Sequence, residues 1–242
     1  MTQNKYAQIA EATTSPVENT MRKEVKIKPM CFMEILIGGP YSGHIYGHTA
    51  LRIKTPANER IYDFGRYRQL FSEDIGLGVQ LHGADSPRGG EGILNVWTNF
   101  EAYIAAENNL GRQTWGYKYW LLETQANAVN SFYDSLVANA VSIKRNSSDT
   151  YKAYKLKTDY FALGPNCTTL SIEGAKQAIP QIDEGSEKFI DPSAVLSFTV
   201  NMAMRAKYGV PSKIFLPDNL HRYFDTGPKI AAEEKHVYGN KK

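Results

Sequence analysis

The sequence predicts an α+β fold in which an antiparallel sheet packs against helices, and two hydrophobic patterns support that class. From about residue 30 onward, short apolar or alternating runs follow one another between turn residues, as in a meander of strands. Further along, six apolar residues recur at spacings of three and four and form one face of a helix: Val129, Phe132, Tyr133, Leu136, Val137 and Ala140. A chain of 242 residues is long enough to bury a full core around such a sheet.

The first half of the chain contains four predicted strands, at residues 30–37, 48–54, 60–64 and 93–97. Glycine, proline and asparagine residues at 38–40 and 55–58 mark the turns between the first three strands. Residues 72–92 are rich in glycine. A loop of about 20 residues inside a compact domain is often a lid or a binding loop.

The second half is predicted to alternate helices and strands. The predicted segments are a helix at 99–108, an aromatic strand at 114–122, a helix capped by Thr124, and an alternating strand at 153–161. A Gly-Pro-Asn segment at 164–166 breaks the last strand, and a helix then runs from Cys167 until Pro180 stops it near residue 179. Asp191 and Pro192 have the residue types expected at the N-cap and first position of a further helix.

Composition and charge exclude several classes of protein. We expect one folded domain at residues 29–226, between a polar, mobile arm at 1–28 and a charged tail at 227–242 that frays. A net charge of +3 without a stripe of lysine and arginine argues against nucleic-acid binding. The most apolar run, residues 31–37, includes Glu34 and is far shorter than the roughly 20 residues that span a membrane. The first 30 residues contain no apolar core of a secretory signal, so we expect cytoplasmic synthesis, with export by another machine if the protein acts elsewhere.

The sequence contains no motif for a metal or a cofactor, and we expect neither. Its two cysteines, Cys31 and Cys167, are too few for a disulfide scaffold, and no CxxC pair or histidine–cysteine cluster indicates zinc. It contains no Walker phosphate loop, no GxGxxG after a strand, no HExxH and no GxSxG. Its scattered carboxylates leave a glycosidase pair open without selecting one.

Cys167 is the candidate nucleophile because it follows an extended run and opens a helix, with Asn166 as the expected N-cap. The partial positive charge of a helix N-terminus lowers the pKa of a thiol, as does a nearby imidazolium. The N–H of Cys167 is also suited to stabilising an oxyanion. Ser171, Gly174 and Ala178 continue a stripe of small residues that lets the helix lie close to a sheet. The alternative is a small buried cysteine without a catalytic role.

His48 is the preferred general base because it opens a strand and follows a glycine, so that its ring can face a cleft. His44 lies four residues earlier, in the turn, and is the runner-up. His82 lies in the glycine-rich loop and reaches the site only if that loop is a lid. The alternative for any of these histidines is a structural or merely exposed side chain.

Asp63 is the candidate for the third polar group that usually holds the tautomer of such a histidine. A hairpin that closes at Ala57 and Asn58 places Asp63 opposite Arg52. Asp63 then lies on the same face as His48 but not beside it, so that a bulge or twist has to close the gap. Arg66 and Gln69 are weaker candidates. A simple surface charge explains Asp63 equally well.

These residues lie in motifs that resemble a known family. GHTALRI (47–53) with IYDFG (61–65), followed by GPNCTTLS (164–171), is similar to the circularly permuted branch of the NlpC-type papain-like hydrolases. In that branch the histidine strand precedes the cysteine helix, and here the histidine precedes the cysteine by 119 residues. The resemblance covers about residues 30–180.

The resemblance implies a papain-like antiparallel sheet in permuted order, with the catalytic cysteine at the N-terminus of a packed helix. It implies Cys167 as nucleophile, His48 as base and Asp63 as the third residue, where ordinary members often have histidine, asparagine or glutamine. The domain at 29–226 would then be the permuted hydrolase domain.

Members of the superfamily commonly cleave amide bonds in peptidoglycan stem peptides, so the resemblance implies a cysteine peptidase or amidase with that substrate. Some permuted relatives act on lipids, which makes a thiol-dependent lipid acyl hydrolase or acyltransferase the alternative enzyme. A non-catalytic binding module with a buried cysteine is the alternative from another class. A member with a polar arm and no signal peptide is similar to antibacterial effectors of type VI secretion. This implies a toxin acting in a target-cell periplasm, with a secretion apparatus and a cognate immunity protein as partners.

Overall fold

A computed structural model describes residues 31–41, 46–65, 91–144, 147–160, 165–191 and 213–239. The strands are β1 (Cys31–Gly38), β2 (His48–Lys54), β3 (Glu59–Gly65), β4 (Ile93–Trp97), β5 (Thr114–Leu121), β6 (Val141–Ser142), β7 (Tyr151–Lys155) and β8 (Glu234–Tyr238). The helices of these residues are α1 (Phe100–Asn109), α2 (Glu123–Ala138), α3 (Cys167–Lys176) and α4 (Pro217–Thr226), with a 3₁₀ turn at Ser186–Phe189. The strands form one antiparallel sheet in the order β6-β7-β4-β3-β2-β1-β5-β8, which confirms the α+β class.

Most of the predicted elements are present at nearly the predicted bounds. Strands β2 and β4 have the expected limits, and β1, β3 and β5 differ by one residue at an end or at both ends. Helix α1 begins one residue later than predicted because Asn99 is its N-cap, and the Asn99 side chain accepts a hydrogen bond from the N–H of Ala102 at 2.8 Å. The helix expected at Asp191 and Pro192, the arm at 1–28 and nearly all of the loop at 72–92 lie outside the described residues.

Three predicted element ends are wrong. Thr124 does not cap α2, because the helix begins at Glu123, and the Gln125 side chain accepts a hydrogen bond from the N–H of Leu122, the N-cap residue, at 2.9 Å. Strand β7 ends at Lys155 instead of 161, and a single further backbone hydrogen bond to the β4 side, from the N–H of Leu156 to the carbonyl oxygen of Gly92, follows it. Helix α3 ends at Lys176, and tighter i to i+3 hydrogen bonds continue the turn toward residue 179.

The expectation of a fraying C-terminal tail is also wrong for residues 234–238, which pair with β5 as strand β8. The charged residues that predicted a tail suit an edge strand, where charge prevents pairing with other chains. Alternate residues of β8 reach inward: His236 Nδ1 and the Tyr238 hydroxyl bond Oε1 of Glu34 at 2.8 and 2.7 Å.

Glu34 is a fully buried carboxylate at the centre of a polar network on one face of the sheet. Besides His236 and Tyr238, it receives a hydrogen bond at 2.8 Å from Nη1 of Arg52. The guanidinium of Arg52 lies over the ring of Phe100, 3.4 Å from its centroid. Glu34 therefore joins the central strands, the C-terminal strand and α1.

The two faces of the sheet bury separate clusters. Helices α2, α3 and α4 cover one face and enclose the main core, which includes Leu51, Tyr62 and Tyr117. Helix α1 covers the other face, where Ala50 and Ile61 belong to a smaller cluster. No helix of the described part of the chain has both the length and the apolar character needed to cross a membrane.

We predict that a methyl group added at Gly174 of α3 lowers the stability of the protein. Its Cβ would come within 2.5–2.8 Å of the hydroxyl and ring of Tyr133 on α2. That ring is held in place, because it stacks on Tyr62 with centroids 3.8 Å apart and its hydroxyl donates to Leu170 at 3.1 Å. We expect Gly174→Ala to lower the free energy of unfolding by about 1–3 kcal/mol, despite the better helix propensity of alanine. Chemical denaturation tests this against Glu173→Ala in the same helix, and a stabilised Gly174→Ala variant would contradict it.

Candidate active site

His48 and Asp63 are diagonal neighbours on adjacent strands. Asp63 pairs with Ala50 and not with Arg52 as predicted, because the β2–β3 connection is a four-residue turn at 55–58. In the observed register, Asp63 lies two residues closer to His48 than predicted, and the two side chains are on the same face of the sheet. Long side chains bridge such diagonal positions, so no bulge is needed.

The imidazole of His48 contacts the carboxylate of Asp63 directly. His48 Nε2 meets Asp63 Oδ1, and the two side chains are 12% and 4% exposed. A buried Asp63 contradicts its interpretation as a simple surface charge. Because Nε2 faces Asp63, Nδ1 is the ring nitrogen left for the hydrogen bond between His48 and the thiol of Cys167.

Helix α3 brings Cys167 to the end of the sheet at which β2 begins. Asn166 is its N-cap: Oδ1 accepts from the N–H of Thr169 at 3.0 Å, and Nδ2 donates to the carbonyl oxygen of Phe215 at 3.0 Å. The hydroxyl groups of Thr168 and Thr49 hydrogen bond at 3.2 Å and join the helix to β2. Since His48 is the first residue of β2, its ring reaches both Asp63 on one face and the helix on the other.

The electrostatics favour a charged thiolate–imidazolium pair. Burial alone would raise the pKa of the Cys167 thiol, but the charge and hydrogen bond of His48, with hydrogen bonds from Tyr160 and the N–H of Thr49, lower this pKa below its ordinary value. Burial would likewise lower the pKa of His48, but Asp63 and Cys167 raise it to about 10. Both shifts stabilise S⁻ beside a protonated ring.

Two contact residues were missed by sequence reasoning. The Tyr160 hydroxyl donates to Cys167 Sγ at 3.5 Å, and the Trp97 indole Nε1–H donates to Asp63 Oδ2 at 3.3 Å. Tyr160 was assigned to the end of a strand that stops earlier, and Trp97 is visible as a neighbour only once Asp63 is known to pair with Asn95. The sequence signal for this contact is a tryptophan two residues after Asn95, which lies on the same face of the sheet as Asp63.

Four further residues are candidates for the base or for the group that orients it. His44, His82, Arg66 and Gln69 lie outside the described residues, so their roles stay open. Cys31 is a free, buried cysteine at the far end of β1, and burial raises the pKa of its thiol. Within the described ranges, no group of three or more histidine, cysteine, aspartate or glutamate residues is arranged to hold a metal ion.

Comparisons of the chain with protein-family models, with curated proteins and with solved structures found no match.

The lowered pKa of Cys167 predicts fast alkylation at acidic pH. A thiol with an ordinary pKa near 8.5 is only about 0.3% thiolate at pH 6. We expect iodoacetamide to label Cys167 at pH 6 at least about 10-fold faster in the wild type than in His48→Ala, because the variant loses the imidazolium. At pH 9 the two rates should converge, which controls for access to the sulfur. Cys31 serves as the unreactive thiol of the same chain, and equal rates for both proteins at pH 6 would contradict the ion pair.

Proposed function

We propose that this protein is a cysteine hydrolase of the peptidase or amidase type. The observation that carries the proposal is the continuous contact from Cys167 through His48 to Asp63, with the thiol pKa lowered and the imidazole pKa raised. Nucleophilic catalysis by cysteine requires three parts. These are a thiolate, a residue that gives and takes protons during the reaction, and a group that orients this residue. A merely structural buried cysteine needs none of them.

The proposed reaction begins with attack of the Cys167 thiolate on the carbonyl carbon of an amide. The resulting oxyanion would be stabilised by the backbone N–H of Cys167 at the start of α3 and by the Tyr160 hydroxyl, both of which lie beside the sulfur. Burial raises the pKa of Tyr160 well above its ordinary value, so this hydroxyl remains a donor. Protonated His48 then gives its proton to the leaving nitrogen as the C–N bond breaks, and a thioester remains on Cys167.

Hydrolysis of the thioester returns the enzyme to its starting state. His48, now neutral, takes a proton from water as the water oxygen attacks the thioester carbonyl. The C–S bond breaks, a carboxylic acid leaves, and the thiolate faces a protonated His48 again. Asp63 holds the ring and stabilises its positive charge in both halves of the cycle.

The fold is proposed to be a permuted papain-like fold. The support is the order of the elements: the strand that begins with His48 and the strand with Asp63 precede the helix that begins with Cys167. All three residues meet at one end of an antiparallel sheet, which is the arrangement that the resemblance implies.

The proposed substrate is the stem peptide of peptidoglycan, on the strength of the resemblance in the GHTALRI, IYDFG and GPNCTTLS motifs. On the same resemblance, we propose that the protein is an antibacterial toxin delivered to the periplasm of a target cell. Its proposed partners are a secretion apparatus and an immunity protein.

The test is digestion of purified peptidoglycan by the wild type, with enzyme alkylated by iodoacetamide as the matched control. We expect soluble fragments with new free amino groups from the untreated enzyme only, and mass spectrometry of the fragments identifies the bond that is cut. Phospholipid vesicles are incubated in parallel. If fatty acid is released from the vesicles while the peptidoglycan stays intact, the substrate is a lipid and not peptidoglycan. If neither product appears, a hydrolase of either kind is contradicted.

A further inference from the structure

Three side chains follow one diagonal across the sheet face that α1 covers. His48 on β2, Asp63 on β3 and Trp97 on β4 are each displaced by two residues from the preceding one, because Ala50 pairs with Asp63 and Ile61 pairs with Trp97. The diagonal continues the contact between Cys167 and His48 into the sheet. Trp97 is the last of the three residues on this diagonal and lies two strands away from His48.

Asp63 is held at both of its carboxylate oxygens. Oδ1 faces His48 Nε2, and Oδ2 accepts the indole N–H of Trp97 at 3.3 Å. The last torsion of an aspartate is soft, so a single contact leaves the carboxylate free to rotate. Contacts at both oxygens fix its plane, and a donor also stabilises the anion over the neutral acid.

The indole is itself fixed by aromatic neighbours. Its ring lies against Tyr151 on β7 with centroids 4.4 Å apart, and edge-on to Tyr103 on α1 at 5.6 Å. A side chain that is packed on two sides and directs its N–H at a carboxylate is suited to transmit a fixed geometry.

We propose that Trp97 is a positioning residue of the catalytic centre, one that holds the Asp63 carboxylate in the orientation that His48 requires. This inference depends on the proposed hydrolase function only for its kinetic readout. Trp97 acts through Asp63, to which its indole N–H donates.

Other ionisable groups near the site have to stay unchanged in the test. The charge of Asp63 acts on Tyr103 of α1 and on Tyr160, the residue that contacts the thiol. The charges of Glu107, Arg112 and Cys167 act on Tyr103 as well, and that of Cys167 also acts on Tyr160. Replacing Trp97 by phenylalanine alters none of these charges. A change in the pH profile therefore reports on the carboxylate and on His48.

The first experiment is Trp97→Phe, which keeps an aromatic ring against Tyr151 and removes the donor. We expect kcat to fall by about 5- to 10-fold with KM within about two-fold, because the lost hydrogen bond is long for a bond to a charged acceptor. The alkaline limb of the pH–rate profile, which reports loss of the His48 proton, should move to lower pH by about 0.5–1 unit. Trp120→Phe is the matched control, since Trp120 pairs with Phe32 at the opposite end of β1.

A double-mutant cycle separates positioning from packing. In an Asp63→Asn background, Trp97→Phe should cost less than about two-fold in kcat, because the group on which it acts is already lost. A further 5- to 10-fold loss in that background would overturn the inference and assign Trp97 a packing role.

Nuclear magnetic resonance tests the same contact without any substrate. The chain has three tryptophans, so a ¹⁵N-labelled protein gives three indole N–H signals, and Trp97→Phe identifies the relevant one. Asp63→Asn should shift the Trp97 signal and leave the Trp120 signal in place, whereas an unmoved Trp97 signal would overturn the inference. If the wild type hydrolyses nothing, the proposed function fails, but this measurement still decides whether the Trp97 indole holds the Asp63 carboxylate.

Discussion

Cys167→Ala is expected to lower the rate of hydrolysis by a factor of about 10⁴ or more, because alanine cannot form the acyl-enzyme. The measurement is the initial rate of fragment release at saturating substrate, with the folded state of the variant checked by circular dichroism. Cys31→Ala is the matched control. Its side chain is buried at the far end of β1, and we expect its rate to stay within about two-fold of the wild type.

His48→Ala extends the same prediction to the base, with an expected loss of about 10²–10⁴-fold. Because Cys167 and His48 act as a unit, the double variant should be no slower than Cys167→Ala alone. Hydrolysis by Cys167→Ala at more than a hundredth of the wild-type rate would rule out this cysteine as the nucleophile.

Glu34→Ala is expected to lower the free energy of unfolding by about 3–5 kcal/mol. The carboxylate is fully buried and bonds Arg52, His236 and Tyr238. Its removal deprives the nearly buried guanidinium of Arg52 of one of its carboxylate partners. It also leaves the His236 ring and the Tyr238 hydroxyl of β8 without their acceptor. Urea denaturation followed by circular dichroism measures the loss.

Two further variants make the Glu34 prediction specific. Glu184→Ala removes an exposed carboxylate that pairs with Lys229, and we expect a change below about 1 kcal/mol. Glu34→Gln keeps the shape and one acceptor oxygen, so its loss should lie between those of the two alanine variants. If Glu34→Ala is as stable as Glu184→Ala, the network does not join the strands as described.

Local patterns were sufficient to predict strands β1 to β5 and the elements on which His48 and Cys167 lie. The alternation from His48 to Lys54 and the apolar run from Ile93 to Trp97 predicted β2 and β4 with correct limits, because each strand has residues of strong β-propensity between turn residues. The position of Cys167 after a Gly-Pro-Asn break predicted the start of α3. These features depend on residues close in sequence.

The rest of the site depends on contacts between distant segments. The pairing of Asp63 with Ala50 follows from the length of the β2–β3 turn, and a tighter turn in the same sequence would have shifted every partner by two residues. Tyr160 and Trp97 reach the site from segments that only the folded sheet brings together. Strand β8 was taken for a tail because its charges are evident in the sequence, whereas the buried acceptor for His236 and Tyr238 lies about 200 residues away on β1.

The order of the elements determines when a nascent chain acquires its site. His48, Asp63 and Trp97 lie on β2, β3 and β4, whose pairings join consecutive strands and need little chain to form. Ribosomes add roughly 5–20 residues per second, so the 119 residues between His48 and Cys167 take roughly 6–24 s to synthesise. The histidine and its supports therefore can fold before the sulfur has been translated, and the growing chain lacks the Cys167 thiol of this site until α3 emerges and docks.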